Sequence, residues 1–146
     1  MQHYKSILVP IDFSTASNYA LKNANGLAKM TKAKLTVLHV VDYIPPAYAA
    51  ATIPAAFASG DLIIERARSH VEDMIKDMGD IECDIVIKAG KAKKTILSEA
   101  EIQKSDLIMI GSHDETMAGF TLGSVAHRVI HSAACDVMVV RNDPGL

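Results

Sequence analysis

Apolar residues fall along this chain in two alternating rhythms. Ser6-Ile7-Leu8-Val9-Pro10 opens with a short β-branched run that ends at Ile11-Asp12, and Ser14 or Thr15 can cap a helix after it. Ala16, Ala20, Ala24, Leu27 and Ala28 then recur at helical spacing, which predicts a helix over residues 15–31. Leu35 to Val41 is a second apolar run. Neither run alternates, as expected of parallel strands covered on both faces. After Ser59-Gly60-Asp61, Ala67, Val71, Met74 and Met78 mark the buried stripe of a second helix, which Gly79 ends. Cys83 to Ala89 alternates more and suits an edge strand. Gly90 turns into a helix around residues 92–104 that carries Ile96, Leu97 and Ala100. Asp106 to Ile110 is a fourth strand. A loop runs from Gly111 to Leu122, and Ser124 opens a last helix with Val125, Ala126, Val129, Ile130 and Ala133 on one face. Asp136 to Val140 closes the chain's pattern as a fifth strand.

Strands alternating with helices imply a parallel sheet with right-handed crossovers. Five such strands fit a doubly wound α/β layout, whose ligands bind beyond the carboxyl ends of the strands. Residues 1–146 read as one domain, without internal repeats. Residues 43–60 break the rhythm. Pro45, Pro46 and Pro54 lie there among alanines, and a connection of that length reads either as an irregular crossover or as a lid.

Composition narrows the function. The chain is 49% hydrophobic and 22% charged with a formal net charge of −2, values of a soluble globular protein without the basic excess that nucleic-acid binding needs. No run of 18 apolar residues is present, so a membrane span is not expected. The N-terminus leads directly into a strand rather than a signal peptide. Cys83 and Cys135 form no CxxC pair, and reduced thiols in a cytoplasmic protein are the simple reading.

The carboxyl ends of the apolar runs hold the candidate chemistry. The stretch from Gly111 to Ser124 leaves a strand end and enters a helix start through Gly123-Ser124. A helix N-terminus carries unpaired N–H donors and a partial positive charge that favour phosphate. The plain alternative is Ser124 as an ordinary N-cap. Asp12 ends the first strand inside the expected crevice, or serves as an Asx cap, or both. His39 reads as a hydrogen-bonded core histidine. His127 and His131 stand four apart on the last helix, a spacing that suits a metal, yet no third ligand is evident and a solvated face is the better reading. Lys91, Lys93 and Lys94 cluster at a helix start, against the dipole preference, and an anion or partner contact competes there with a solvated face.

The segments YKSILVPIDFS, LTVLHVVD and DLIMIGSHDETMAGFTLGSVAHRVIHSAACDVMVVR resemble the universal stress protein family, and the likeness spans essentially the whole chain. It implies a Rossmann-like five-stranded sheet in the order 3-2-1-4-5 and a dimer built on the last strand through Val137 and Val139. It also implies an adenine nucleotide, ATP or AMP, as ligand. Family members that bind ATP carry a Gly, two residues, a second Gly, nine residues and a closing Gly-Ser or Gly-Thr. Gly111 matches the first glycine, and Gly123-Ser124 match the closing pair. By the same likeness Pro10, Ile11 and Asp12 lie at the nucleoside, Val40 at the adenine with Ile110 beside it, Ser112 and His113 at the loop start, and Ser124 and Val125 at the phosphates. Asp114 replaces the second glycine, and eight residues rather than nine separate it from Gly123, as in a subset of the family. Asp114 and Glu115 place negative charge beside a polyphosphate, which a bound Mg²⁺ would offset.

Three functions compete. The first is a nucleotide-binding stress-response or regulatory protein that signals its occupancy to a partner whose identity is not written in the chain. The second is a slow ATPase or nucleotide hydrolase, for which Asp12, His113 and Asp114 are the only candidate groups. The third is a dimeric interaction module without a nucleotide. A phosphoacceptor receiver domain is disfavoured because Asp12 lacks an adjacent acid and the third strand ends in Ala89-Gly90. Neither a P-loop nor a GxGxxG fingerprint is present.

Overall fold

A computed structural model of the chain describes residues 3–42, 60–79, 81–112 and 122–141. Nine elements alternate along them. They are β1 (Ser6–Ile11), α1 (Thr15–Thr31), β2 (Lys34–Asp42), α2 (Gly60–Met78), β3 (Asp84–Gly90), α3 (Ala92–Ile102), β4 (Leu107–Gly111), α4 (Ser124–Ser132) and β5 (Asp136–Val140). The strands form one sheet in the order β3-β2-β1-β4-β5, and every neighbouring pair is parallel. β1 is central, with Leu8 opposite Thr36 of β2 and Ile108 of β4.

Period-two alternation sorts the apolar runs into two cores, because successive strand residues point to opposite faces. Ile7, Val9 and Ile11 of β1 pack with Leu35 and Val37 of β2 and Leu107 and Met109 of β4 against α1 and α2. Leu8, Leu38, Ile108 and Ile110 point the other way, onto Ile96 and Ala100 of α3 and Ala126 and Val129 of α4. Both faces of the central strands are thus covered, which is why those runs are nearly all apolar. The edge strands β3 and β5 keep half-buried and exposed positions.

Helix boundaries obey local chemistry. Ser14 is the N-cap of α1, and its Oγ accepts the Ser17 N–H at 3.1 Å. Ala16, Ala20 and Ala24 are buried along α1, so their small side chains let the helix lie close on the sheet. Gly79, at φ 107°, turns the chain out of α2 in a conformation that L side chains rarely adopt. The predicted stripes need three corrections. On α2 it is Ile75, with Val71, that is buried, while Ala67, Met74 and Met78 lie at the margin. On α3 the buried face includes the carboxylate of Glu99, which is 3% exposed and held by Gln103 Nε2 at 2.9 Å and Lys88 Nζ at 3.7 Å. On α4, Ala126 and Val129 take the inward positions and leave Ile130 46% exposed. No helix among the described residues is long and apolar enough to cross a membrane.

Candidate functional site

The sheet reverses its winding direction between β1 and β4, and the crevice at that switch lies beyond their carboxyl ends. A cavity of about 130 Å³ occupies it. Each wall has a traceable origin. Pro10, Ile11 and Asp12 enter because β1 ends there, Val40 because β2 runs alongside, and Ile110 and Gly111 because β4 ends level with β1. Gly123, Ser124 and Val125 close the far side at the start of α4. Nine of the residues singled out in the sequence therefore share one cavity.

Two do not join it. The Ser112 N–H donates to the Val140 carbonyl at 2.9 Å, so the Ser112 backbone continues the β4–β5 pairing, and the residue is not in the described lining. His113 lies outside the described residues, as do Asp114, Glu115 and all of the 43–60 connection except Gly60. The cavity also takes residues that the sequence did not place at the site, namely Ser14, Ser17, Leu38, Ala92, Ile96 and Ala126. Ala92 and Ile96 come from α3, which crosses the sheet face beside β2. The packing of α3 on the sheet and beside α4 brings them there.

Local hydrogen bonds fix the turn after β1. Asp12 Oδ1 accepts the Ser14 N–H at 3.0 Å, and the Asp12 N–H donates to Ser17 Oγ at 3.2 Å. Ser17 Oγ in turn donates to the Ser14 carbonyl at 3.1 Å. Asp12 is thus an Asx-turn residue whose exposed side chain still borders the cavity. Phe13 bends the chain here at φ 65°, an unusual conformation for a bulky residue. Its ring stacks on His70 of α2 at 4.1 Å between centroids and tilts against His39 at 4.6 Å. His39 Nδ1 meets the Ile11 carbonyl at 2.9 Å, so the histidine is hydrogen-bonded and braces the strand end.

Two backbone details shape the pocket's chemistry. A Cβ on Gly111 would lie 2.6 Å from the Ala16 carbonyl carbon and 2.9 Å from Ser17 N, so α1 crosses β4 at a distance that only glycine permits. At the far side, Gly123 rather than Ser124 is the N-cap of α4, and no side chain caps the helix. The first intrahelical bond runs from His127 N–H to the Gly123 carbonyl, so the N–H groups before it have no intrahelical acceptor. Ser124 is left exposed, with its hydroxyl outside the capping role. The result is an apolar slot with a carboxylate at one lip and a helix N-terminus at the other.

The two cysteines and the paired histidines of α4 lie apart from the crevice lining. Burial pushes the Cys83 thiol up, with Asp84 adding to the shift, and burial together with Asp136 does the same for Cys135. Both cysteines are free. His127 and His131 are exposed with parallel rings 6.3 Å apart, and no group of three metal-binding side chains occurs among the described residues.

Known proteins share this fold. The model of the universal stress protein family matches residues 3–141. Universal stress protein A homolog 2 of Coxiella burnetii is 31% identical over 142 residues, covering 97% of this chain and 97% of that protein. The structure of a universal stress protein UspA from Lactobacillus plantarum superposes with a TM-score of 0.76 at 27% identity, covering 97% of this chain and 100% of that one. A universal stress protein solved in complex with cAMP superposes with a TM-score of 0.64 at 26% identity, over 95% of this chain and 98% of that one.

Proposed function

The chain belongs to the universal stress protein family, and from that premise we propose that it binds an adenine nucleotide, ATP or AMP, in the β1–β4 crevice and works as a stress-response or regulatory protein of the cytoplasm. The observation that carries this reading is the pairing of an apolar slot with the uncapped N-terminus of α4. Val40 and Ile110 supply flat apolar surface for a purine. Asp12 accepts hydrogen bonds from ribose hydroxyls. The N–H groups of Ser124 and Val125 and the Ser124 hydroxyl face the phosphates, with Ser112 and His113 at the other end of the same loop. The relative solved with cAMP holds a ligand of the same chemical class. Mg²⁺ would neutralise a triphosphate beside Asp114 and Glu115.

Slow hydrolysis is the weaker reading. Asp12 is the only carboxylate among the described residues lining the cavity, and its Oδ1 is engaged with Ser14 N–H. Native mass spectrometry of the freshly purified protein tests the main reading. An adduct with the mass of an adenine nucleotide is expected. An apo protein that neither AMP nor ATP with Mg²⁺ stabilises against heat would favour a nucleotide-free interaction module.

In the proposed assembly all 146 residues form one domain that dimerises through β5. That strand pairs with β4 alone among the described strands and leaves Met138 41% exposed between half-buried Val137 and Val139. An apolar edge of this kind calls for a partner strand, and pairing with its own copy gives a closed two-fold contact. Val139→Lys is expected to sediment as a monomer. A variant that stays dimeric would place the interface elsewhere.

A further inference from the structure

A second concavity, of about 740 Å³, adjoins the crevice and shares Ala92 and Val125 with it. Lys91, Lys93 and Lys94 line it from the start of α3, and Arg128 lines it from α4. Asp42, at the end of β2, is the only acid among its described lining residues. All four cations are exposed, and none makes an ion pair with a described residue, whereas Lys34 on β2 and Lys88 on β3 are both paired.

The backbone adds to the positive field. Lys91 is the N-cap of α3 and no side chain caps that helix, whose first turn holds no acidic residue. The first bond within it runs from Thr95 N–H to the Lys91 carbonyl, so the preceding N–H groups have no intrahelical acceptor. Lysines at a helix start oppose the helix dipole, and four like charges on one concave wall repel one another. A multiply charged anion reverses the sign of both terms, and a concave wall of one charge concentrates such an anion.

We propose that this groove is a binding site for a multivalent phosphate oxyanion, separate from the nucleoside slot and continuous with it. Phosphate suits the wall better than an acidic peptide. Guanidinium and ammonium side chains line one concave space together with the start of a helix, a donor set that matches the compact, multiply charged oxygens of phosphate. The same chemistry has two sources, a free polyphosphate or the phosphate tail of a ligand seated in the crevice.

Calorimetric titration of the whole protein with sodium tripolyphosphate tests the proposal. The wild type is expected to bind it saturably, and more weakly as salt rises. The double variant Lys93→Glu with Arg128→Glu should bind roughly tenfold more weakly or worse. Lys22→Glu with Lys76→Glu makes the same change in net charge on α1 and α2, across the sheet, and should stay within about twofold of wild type. All variants alter exposed side chains, and a thermal melt verifies their fold. Absence of saturable binding, or equal losses in the two double variants, would overturn the site. Loss of tripolyphosphate binding in Ser124→Asp but not in the groove variant would move the anion to α4 and overturn it equally. An oligo-glutamate that binds as tightly as tripolyphosphate would overturn the phosphate assignment. Saturating AMP distinguishes the sources. Undiminished tripolyphosphate binding supports a free oxyanion, and competition supports a ligand tail reaching from the slot. This test needs no nucleotide to bind in the slot, so failure of the nucleotide reading would show separately, as absent AMP binding beside intact tripolyphosphate binding.

Discussion

The two ends of the sheet use their polar groups in opposite ways. At the amino ends of the strands they close on one another. Asp106 accepts the Lys5 and Ser6 N–H groups at 2.9 and 3.0 Å, Tyr4 Oη donates to Asp136 at 2.9 Å, and Lys34 bridges Asp84 and Gln103 at 3.3 Å each. At the carboxyl ends, beyond the hydrogen-bonded turn of Asp12, Ser14 and Ser17, two helices start without side-chain caps, Ser124 stands exposed, and four cations have no ion-pair partner among the described residues. One end is spent on holding the strands in register. The other keeps donors and positive charge available, as the proposed ligand site requires. The difference explains how a sheet with so regular a core can carry a site at one pole without weakening the other.

Gly111→Ala should break the comparison most severely, because it strikes where the carboxyl pole is also structural. The added Cβ meets backbone atoms of Ala16 and Ser17 that cannot swing aside. A loss of about 3 kcal/mol in stability is expected from urea unfolding. A wild-type midpoint would show that α1 yields at that crossing. Asp106→Ala comes next, at about 2 kcal/mol, since it strips a charged acceptor from two backbone donors. Its nucleotide affinity should match wild type. A parallel fall in affinity would mean that the two poles are coupled.

The smallest effect concerns the thiols, which lie away from the candidate site. The folded-state pKa of Cys83 and of Cys135 is raised, so less thiolate forms at a given pH than in the unfolded chain. Alkylation by iodoacetamide should therefore run slower in the native protein between pH 7 and about pH 9, and faster as pH climbs. The protonated thiol also makes its contribution to stability at low and neutral pH, and that contribution fades as pH rises through the folded-state value. Equal rates in native and urea-unfolded protein would contradict the burial of these groups.

Legibility in the sequence splits along the same divide. The strands could be read because burial on both faces leaves β1 and β4 almost wholly apolar and, between the end residues Lys34 and Asp42, confines the polar positions of β2 to Thr36 and His39. The crevice could be read because ligands sit where such strands end, which puts Asp12, Val40 and Gly111 on one side and Gly123-Ser124 on the other. What local spacing did not disclose depends on how helices meet. Ala92 and Ile96 reach the cavity because α3 packs on the sheet beside α4. The same contact brings Arg128 to the lysine cluster. Glu99 looks like a solvent position on its helix, yet Lys88 and Gln103 allow it to be buried. Ser124 reads as an N-cap until the backbone shows Gly123 in that role. Phe13 gives no warning of its left-handed turn, because the stack with His39 and His70 that accompanies it joins residues far apart in the chain.

The central claim is that the carboxyl pole binds an adenine nucleotide with its phosphates at the start of α4. Parallel titrations of AMP and of ATP with Mg²⁺ into wild type and Ser124→Asp test it most directly. Saturable binding to the wild type is predicted, together with an affinity roughly 100-fold lower in the variant, where a carboxylate faces the phosphates. Equal affinities in the two proteins, or no binding to the wild type, would contradict the account.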